Sequence, residues 1–129
     1  MTGWTQANIR SDVEDSAPGF GMAPDVQARF ARTTLDAETI GVSLQILAPN
    51  ARMPFGHHHD KDEEVYIVVK GSGRVKLEDE IVEVKHWDAI RVAPETMRNF
   101  EAGPDGLEYL AFGSHTKDDG ETVPGWWSD

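Results

Sequence analysis

The chain has 129 residues, which is the length of one domain built around one hydrophobic core. It carries 23 Asp and Glu against 12 Lys and Arg, and the formal net charge of −11 argues against nucleic acid or an anionic membrane as a partner. Cysteine is absent, which excludes disulfides, thiolate metal sites and a cysteine nucleophile. No signal sequence and no apolar stretch of transmembrane length is evident, so we expect a cytoplasmic protein.

Residues 1–40 are of mixed polarity and contain two prolines and two glycines in the short stretch that ends at Pro24. We therefore expect an arm that packs on a domain rather than a domain in itself. Within the arm, Val26 and Phe30 stand four residues apart after Pro24, and this spacing favours one short helical turn over residues 25–32.

From Gly41 onward, apolar residues recur at every second position, as in a strand with one buried face. Short runs of this type follow at close spacing, at 65–69, 74–77, 81–84, 89–92, 99–102 and 107–112. Segments rich in Gly, Pro and Asp separate them, and those at 71–73 and 103–106 favour turns. Many short strands joined by hairpins predict an all-β antiparallel sandwich or closed barrel over residues 41–113.

The tail, residues 114–129, is charged and ends with Trp126 and Trp127. Two adjacent tryptophans on a free tail would expose a large apolar area, so we expect the tail to pack on the barrel or on a second subunit. Together, the apolar arm and tail predict a homodimer.

The stretch that is most informative about function is 54–73, PFGHHHDKDEEVYIVVKGSG. On an extended strand, His57 and His59 project from one face and His58 from the other. After a polar turn, Glu64 opens the next strand, so its carboxylate can return beside both imidazoles. Two imidazole nitrogens and one carboxylate oxygen form an open three-ligand face, which suits a divalent transition metal such as Fe, Mn, Ni or Zn.

The neighbouring polar residues have simpler interpretations. Asp60, Asp62 and Glu63 are expected in a solvated turn, although Glu63 could replace Glu64 if the strand register slips by one residue. Tyr66 shares the parity of Glu64, so it either lines the same cavity or packs in the core. The three histidines could themselves form a solvent-facing strand end, but their spacing to Glu64 favours a site.

The pattern His-x-His-x4-Glu-x6-Gly that begins at His57 resembles the first motif of the cupin superfamily. The strand pattern over residues 41–113 is similar to the barrel of small single-domain bacterial cupins, and residues 88–99 resemble the second motif. The resemblance implies an antiparallel double-stranded β-helix, also called a jelly roll, with an arm before it and a tail after it. It also implies a small-molecule ligand inside the barrel.

Two positions depart from the family pattern. Ala51 stands where the first motif usually opens with glycine. Arg98 lines up with the histidine that the second motif supplies as a fourth ligand, and neither His86 nor His115 is placed to replace it. Two roles for Arg98 stay open, because it can clamp an acidic group of a substrate beside a three-ligand metal, or pair with Glu64 and replace the cation.

Two functions are consistent with these features. The first is a metal-dependent enzyme of the oxygenase, isomerase or decarboxylase class that acts on a small polar or anionic molecule, with Arg98 and Tyr66 at the substrate. The second is a non-catalytic module that binds or senses a small molecule, with or without metal. The fold alone does not choose between them.

Overall fold

The computed structural model describes residues 3–129, and the fold is almost entirely antiparallel β-structure. A 3-10 helical turn, Ala17–Phe20, precedes the first strand. The strands are β1 (Val26–Phe30), β2 (Ile40–Leu47), β3 (Phe55–His59), β4 (Glu64–Leu77), β5 (Glu80–Lys85), β6 (Ala89–Val92), β7 (Arg98–Ser114) and β8 (Gly120–Pro124). The predicted all-β antiparallel fold is confirmed. None of the helical structure in residues 3–129 has the length and hydrophobicity of a transmembrane segment.

Strand β7 organises the sheet, because it pairs with β2, β3 and β4. Its second half, from Leu107 to Ser114, lies between β2 on one side and β4 on the other. Its first half pairs with the far end of β4, from Gly73 to Leu77. Two long strands that pair twice in this way curl the sheet around one core.

Both segments that predicted turns, 71–73 and 103–106, lie inside the long strands β4 and β7. The pairing of β4 with β7 is irregular between Gly71 and Gly73, because Gly71 lies opposite Leu107 and Gly73 lies opposite Ala102. Gly71 has a φ of 79°, and a Cβ there would lie 2.1 Å from the carbonyl oxygen of Gly106. Only glycine fits this position. Gly71 therefore allows a close approach between β4 and β7 within one continuous strand, and it does not form a turn at the end of a strand.

The arm contributes a strand, and the prediction of a helical turn over residues 25–32 is wrong. Strand β1 pairs with β2 from Val26 opposite Leu47 to Phe30 opposite Ser43. Val26 and Ala28 are buried, which is the period of a strand. A spacing of four residues, as between Val26 and Phe30, is an even number and therefore fits a strand as well as a helix.

The tail packs on its own barrel. Strand β8 pairs with β3 over all five of its residues. Trp127 is buried, with the guanidinium groups of Arg52 and Arg74 at 4.3 and 5.2 Å from its ring centroid. Trp126 lies against Gly56, where a Cβ would be 2.7 Å from the indole ring. The sheet therefore includes one strand from before residues 41–113 in the sequence, β1, and one from after them, β8.

The core fills the interior of the curled sheet with side chains such as Leu47, Val68 and Leu107. Next to them, Phe100 stacks on Tyr109 with 4.1 Å between centroids, and Tyr66 lies 4.9 Å from Phe100. Burial of each aliphatic or aromatic side chain contributes about 1.5–3 kcal/mol. These three rings form the boundary between the core and the cavity described next.

Candidate metal and ligand site

The predicted site residues lie on three strands of the sheet, β3, β4 and β7, which bring them together. His57 and His59 lie on β3, and Glu64 is the first residue of β4. Arg98 is the first residue of β7 and lies opposite His57 in the register of β3 and β7. Strand alternation turns both histidines to the same side, as the sequence predicts.

One carboxylate oxygen is the centre of the cluster. Oε1 of Glu64 lies 3.4 Å from Nε2 of His57 and 3.2 Å from Nε2 of His59. The two imidazole rings are nearly perpendicular, with 5.3 Å between their centroids. His58 faces the opposite side, where its Nε2 lies 3.5 Å from a carboxylate oxygen of Glu121.

Arg98 is completely buried and braces the same carboxylate. Its Nη2 donates to Oε1 of Glu64 at 2.7 Å, and its Nε donates to the Tyr66 hydroxyl at 3.0 Å. Its Nη1 donates to the backbone carbonyls of Pro94 and Thr96 at 3.0 and 2.7 Å. The Tyr66 hydroxyl in turn donates to Oε1 of Glu64 at 2.5 Å. Of the two roles that the sequence leaves open for Arg98, this geometry corresponds to the pair with Glu64.

The cluster sets the protonation of its members. Burial alone would raise the pKa of Glu64, but hydrogen bonds from His57, His59 and Tyr66 outweigh burial and hold this pKa well below its usual range. Burial lowers the pKa of His57, so its imidazole is neutral at pH 7. Burial, with the Glu64 charge nearby, raises the pKa of Tyr66, so its hydroxyl keeps its proton. The site therefore presents one carboxylate, neutral imidazole and a protonated phenol.

Asp119 is a residue of the site that sequence reasoning missed. Its Oδ2 lies 3.6 Å from Nδ1 of His59, on the side of the ring away from Glu64. The Asp119 carboxylate is held by the backbone amides of Lys61 and Asp62, at 3.0 and 2.8 Å. In the sequence, Asp119 is one acidic residue in a charged tail, and only the pairing of β8 with β3 places it beside a histidine.

The prediction of a solvated turn holds for Asp60 and Glu63, which are exposed, and is wrong for Asp62. Asp62 is buried and accepts hydrogen bonds from Ser114 Oγ at 2.9 Å and from the amide and hydroxyl of Thr116 at 3.0 and 2.9 Å. These donors come from the end of β7 and from the tail, so the sequence around Asp62 does not predict its burial. His59, Asp62 and Asp119 are also close enough to form a second three-donor group, but both carboxylates already accept hydrogen bonds from the protein.

The cluster lines a cavity of about 260 Å³ inside the barrel. Most of the remaining lining is apolar or aromatic, and a few polar side chains interrupt it. The apolar and aromatic residues are Phe20, Met22, Phe30, Met53, Phe55, Phe100, Tyr109 and Ala111. The polar residues are Ser43, Gln45, Asn99 and Thr122.

The spacing of the three predicted ligands fits a divalent transition metal. Donor atoms bound at about 2.0–2.2 Å in tetrahedral or octahedral geometry lie roughly 3.0–3.5 Å from one another, and the two imidazole nitrogens lie 3.4 and 3.2 Å from Oε1 of Glu64. Asp119 stands behind His59 as carboxylates commonly stand behind metal-binding histidines. Arg98 adds a fixed positive charge beside the Glu64 carboxylate, which weakens the attraction of the site for a cation.

The antiparallel barrel, with two histidines and a glutamate beside a cavity inside it, has the fold of solved cupin structures. The chain has the fold of a cupin protein from Bacteroides fragilis, with a TM-score of 0.73 at 22% identity over 92% of this chain and 89% of that chain. It also has the fold of the polyketide cyclase RemF from Streptomyces resistomycificus, with a TM-score of 0.74 at 22% identity over 97% and 88% of the two chains. KdgF from Halomonas sp. gives a TM-score of 0.67 at 23% identity over 91% and 98%.

These likenesses confirm the cupin fold that the sequence resemblance implies. The sequence matches no protein-family model and no curated protein. A shared fold does not determine function, which depends on the residues of the site.

Proposed function

We propose that the protein binds a divalent transition metal through His57, His59 and Glu64 and holds a small molecule beside it in the barrel cavity. The observation that carries the proposal is the convergence of two imidazole nitrogens on Oε1 of Glu64 at 3.4 and 3.2 Å, at the wall of a cavity of about 260 Å³. A metal bound there would supply Lewis-acid chemistry to a polar group of the small molecule.

The surrounding residues have distinct roles in this proposal. Arg98 and Tyr66 hold the Glu64 carboxylate in one orientation, so the ligand set is ordered before a metal arrives. Asp119 places a negative charge 3.6 Å from Nδ1 of His59, beyond hydrogen-bond distance, and this charge favours Nε2 as the nitrogen that binds a metal. The apolar walls reduce the contact of the site with water, which strengthens polar interactions there. The likeness to RemF, which is a polyketide cyclase, supports a catalytic use of the cavity. The oxygenase, isomerase and decarboxylase classes stay open.

A second candidate function, a metal-free binding or sensing cavity, is favoured by one specific observation. Arg98 stands in the fourth-ligand position of the cupin pattern, and its guanidinium lies 2.7 Å from Oε1 of Glu64. Arg98 and Glu64 together are electrically neutral, so the carboxylate already has a cation. In this case His57 and His59 would act on the ligand directly, as hydrogen-bonding or proton-transfer groups.

Metal titration of chelator-treated protein decides between the two. We expect one Zn²⁺, Mn²⁺ or Ni²⁺ per chain, bound more weakly as the pH falls below about 6.5, because protons compete for imidazole. His59→Ala should abolish binding, and His58→Ala is the matched control that should leave it nearly unchanged. Arg98→His should restore a fourth ligand and tighten binding. Failure of wild-type protein to bind any of these ions at neutral pH would contradict the metal proposal and support the metal-free cavity.

We also propose that the protein is a homodimer. The tail gives this proposal less support than its sequence suggests, because Trp127 is buried in its own barrel. The arm supports it, because Ile40 is 61% exposed and β1 ends the sheet. The arm itself already bonds to the outer side of β1, because Asp15 bridges to Arg29 and the amide of Ser16 donates to the carbonyl of Ala28 at 2.7 Å, so the exposed Ile40 is the main support. Light scattering at micromolar concentration measures the mass, and a monomer would contradict the proposal.

A further inference from the structure

The polar cluster of the cavity has little capacity left for an anionic ligand. An arginine side chain has five N–H donors, and four of those of Arg98 donate to Tyr66, Pro94, Thr96 and Glu64. Arg98 is also the one permanent cation among the described residues that line the cavity. A carboxylate or phosphate entering there would meet a guanidinium already neutralised by Glu64, and would lie close to the Glu64 charge. The geometry therefore disfavours the small anionic molecule that the sequence suggests.

The walls of the cavity offer aromatic surface instead. Phe100 and Tyr109 stack on one another at 4.1 Å and both line the cavity. Phe20 and Phe30 also line it, in an edge-to-face contact with 6.3 Å between centroids. These two rings are 60% and 49% exposed, so they lie where the cavity opens to solvent. Large apolar side chains that stay exposed at an opening indicate a surface that a ligand covers.

The size of the cavity limits the ligand. Its volume of about 260 Å³ lies just below the range of roughly 300–1,000 Å³ that is typical of pockets for drug-sized ligands. A compound of about one or two rings fits such a volume.

We propose that this cavity binds a small uncharged aromatic compound that carries one hydroxyl or carbonyl group. The rings would pack against Phe30 and Phe100, and the oxygen would lie at His57 and His59, with or without a metal between them. The inference rests on the proposed function because it uses the same cavity, but ring binding in this cavity does not require a metal.

The test is calorimetric titration with 2-naphthol and, separately, with succinate, a small polar dianion. Both are measured on chelator-treated protein and on protein with added Zn²⁺. We expect saturable binding of one 2-naphthol per chain, at least about tenfold tighter than succinate. Phe30→Ser should weaken naphthol binding by about tenfold, because an aromatic contact and its buried area are lost. Ile81→Ser is the matched control, because Ile81 is 46% exposed on β5 and lies outside the cavity lining.

Tighter binding of succinate than of 2-naphthol would overturn the inference, and so would an unchanged affinity in Phe30→Ser protein. The two proposals fail separately. If chelator-treated protein binds 2-naphthol and no metal binds, the aromatic-ligand inference stands and the metal proposal falls. If Zn²⁺ binds and 2-naphthol does not, the metal proposal stands and the inference falls.

Discussion

Glu64 and Glu101 are two carboxylates with nearly the same exposure, 18% and 17%, and both lie against arginine. At Glu101, the two oxygens have separate partners, because Oε1 accepts from Arg74 at 2.6 Å and Oε2 accepts from Arg52 at 2.8 Å. The ring of Trp127 covers both guanidinium groups. This cluster joins the tail to β7 and leaves the carboxylate without a free side.

At Glu64 the partners are distributed unevenly. Among the described residues, every hydrogen bond to this carboxylate goes to Oε1, where Arg98, Tyr66 and His57 meet. The same side chain lines the cavity, whereas Glu101 does not. Both carboxylates have a lowered pKa, so charge alone does not separate them. The two ion pairs therefore differ in what they leave open, because Oε2 of Glu64 accepts no hydrogen bond from the described residues and the Glu64 side chain lines the barrel cavity.

The largest expected effect is on stability, and it distinguishes the Arg98–Glu64 pair from the Arg74–Glu101 pair. Arg98→Met should lower the free energy of unfolding by about 3–5 kcal/mol, because it leaves the largely buried Glu64 charge without its cation. Arg74→Met, whose side chain is 40% exposed, should cost less than about 1 kcal/mol. Urea unfolding of chelator-treated protein measures both. Equal losses would show that the two pairs do not differ in the way proposed.

The second-largest expected effect concerns Trp127, whose ring lies against the two arginines that pair with Glu101. Trp127→Ala should lower the free energy of unfolding by about 3 kcal/mol, because a buried ring is replaced by a cavity. Trp87→Ala is the control, because Trp87 is 70% exposed and its loss should stay within about 0.5 kcal/mol. Deletion of residues 123–129 should also lower the melting temperature. A wild-type melting temperature in Trp127→Ala protein would mean that the tail does not stabilise the barrel.

A smaller effect is expected behind His59. Asp119→Asn should weaken metal binding by about tenfold, because a metal at Nε2 of His59 leaves the imidazole proton on Nδ1, and the Asp119 carboxylate 3.6 Å away stabilises that proton electrostatically. Zn²⁺ titration measures the affinity, and nitrogen NMR of the metal-free protein reports how the proton is shared between Nδ1 and Nε2. Asp118→Asn removes a neighbouring exposed carboxylate and should change neither reading. An unchanged metal affinity in Asp119→Asn protein would remove Asp119 from the site.

The smallest effect is the pH dependence of stability in metal-free protein. Because burial depresses the pKa of His57, the unfolded chain binds a proton there more readily than the folded chain. Stability should therefore fall as the pH drops below about 6.5, the ordinary histidine value. Glu64 acts in the same direction, since its depressed pKa stabilises the fold above about 4.5 and this contribution is lost at lower pH.

His57→Gln should flatten the dependence between pH 7 and pH 5, whereas His86→Gln, which removes an exposed imidazole, should keep it. Denaturant unfolding at a series of pH values measures the slope. An equal slope in wild-type and His57→Gln protein would exclude His57 as its source.

Local pattern was sufficient for the all-β fold and for the shared face of His57 and His59. The reason is that strand alternation has a period of two, which can be read directly from the residues. The return of Glu64 was also predictable, because only a short turn separates it from His59. The burial of the tail followed from the cost of exposing Trp126 and Trp127.

Only the tertiary structure decided the partners of Arg98, the place of Asp119 and the burial of Asp62. Each depends on at least one donor or acceptor that lies 30 or more residues away along the chain, such as Glu64 for Arg98 and His59 for Asp119. The same holds for β1, because the spacing of Val26 and Phe30 fits a helix and a strand equally until β2 is available to pair with it. Hydrogen bonds and ion pairs between distant segments have no sequence period, and they exist only after the sheet has curled and brought β3, β4, β7 and β8 together.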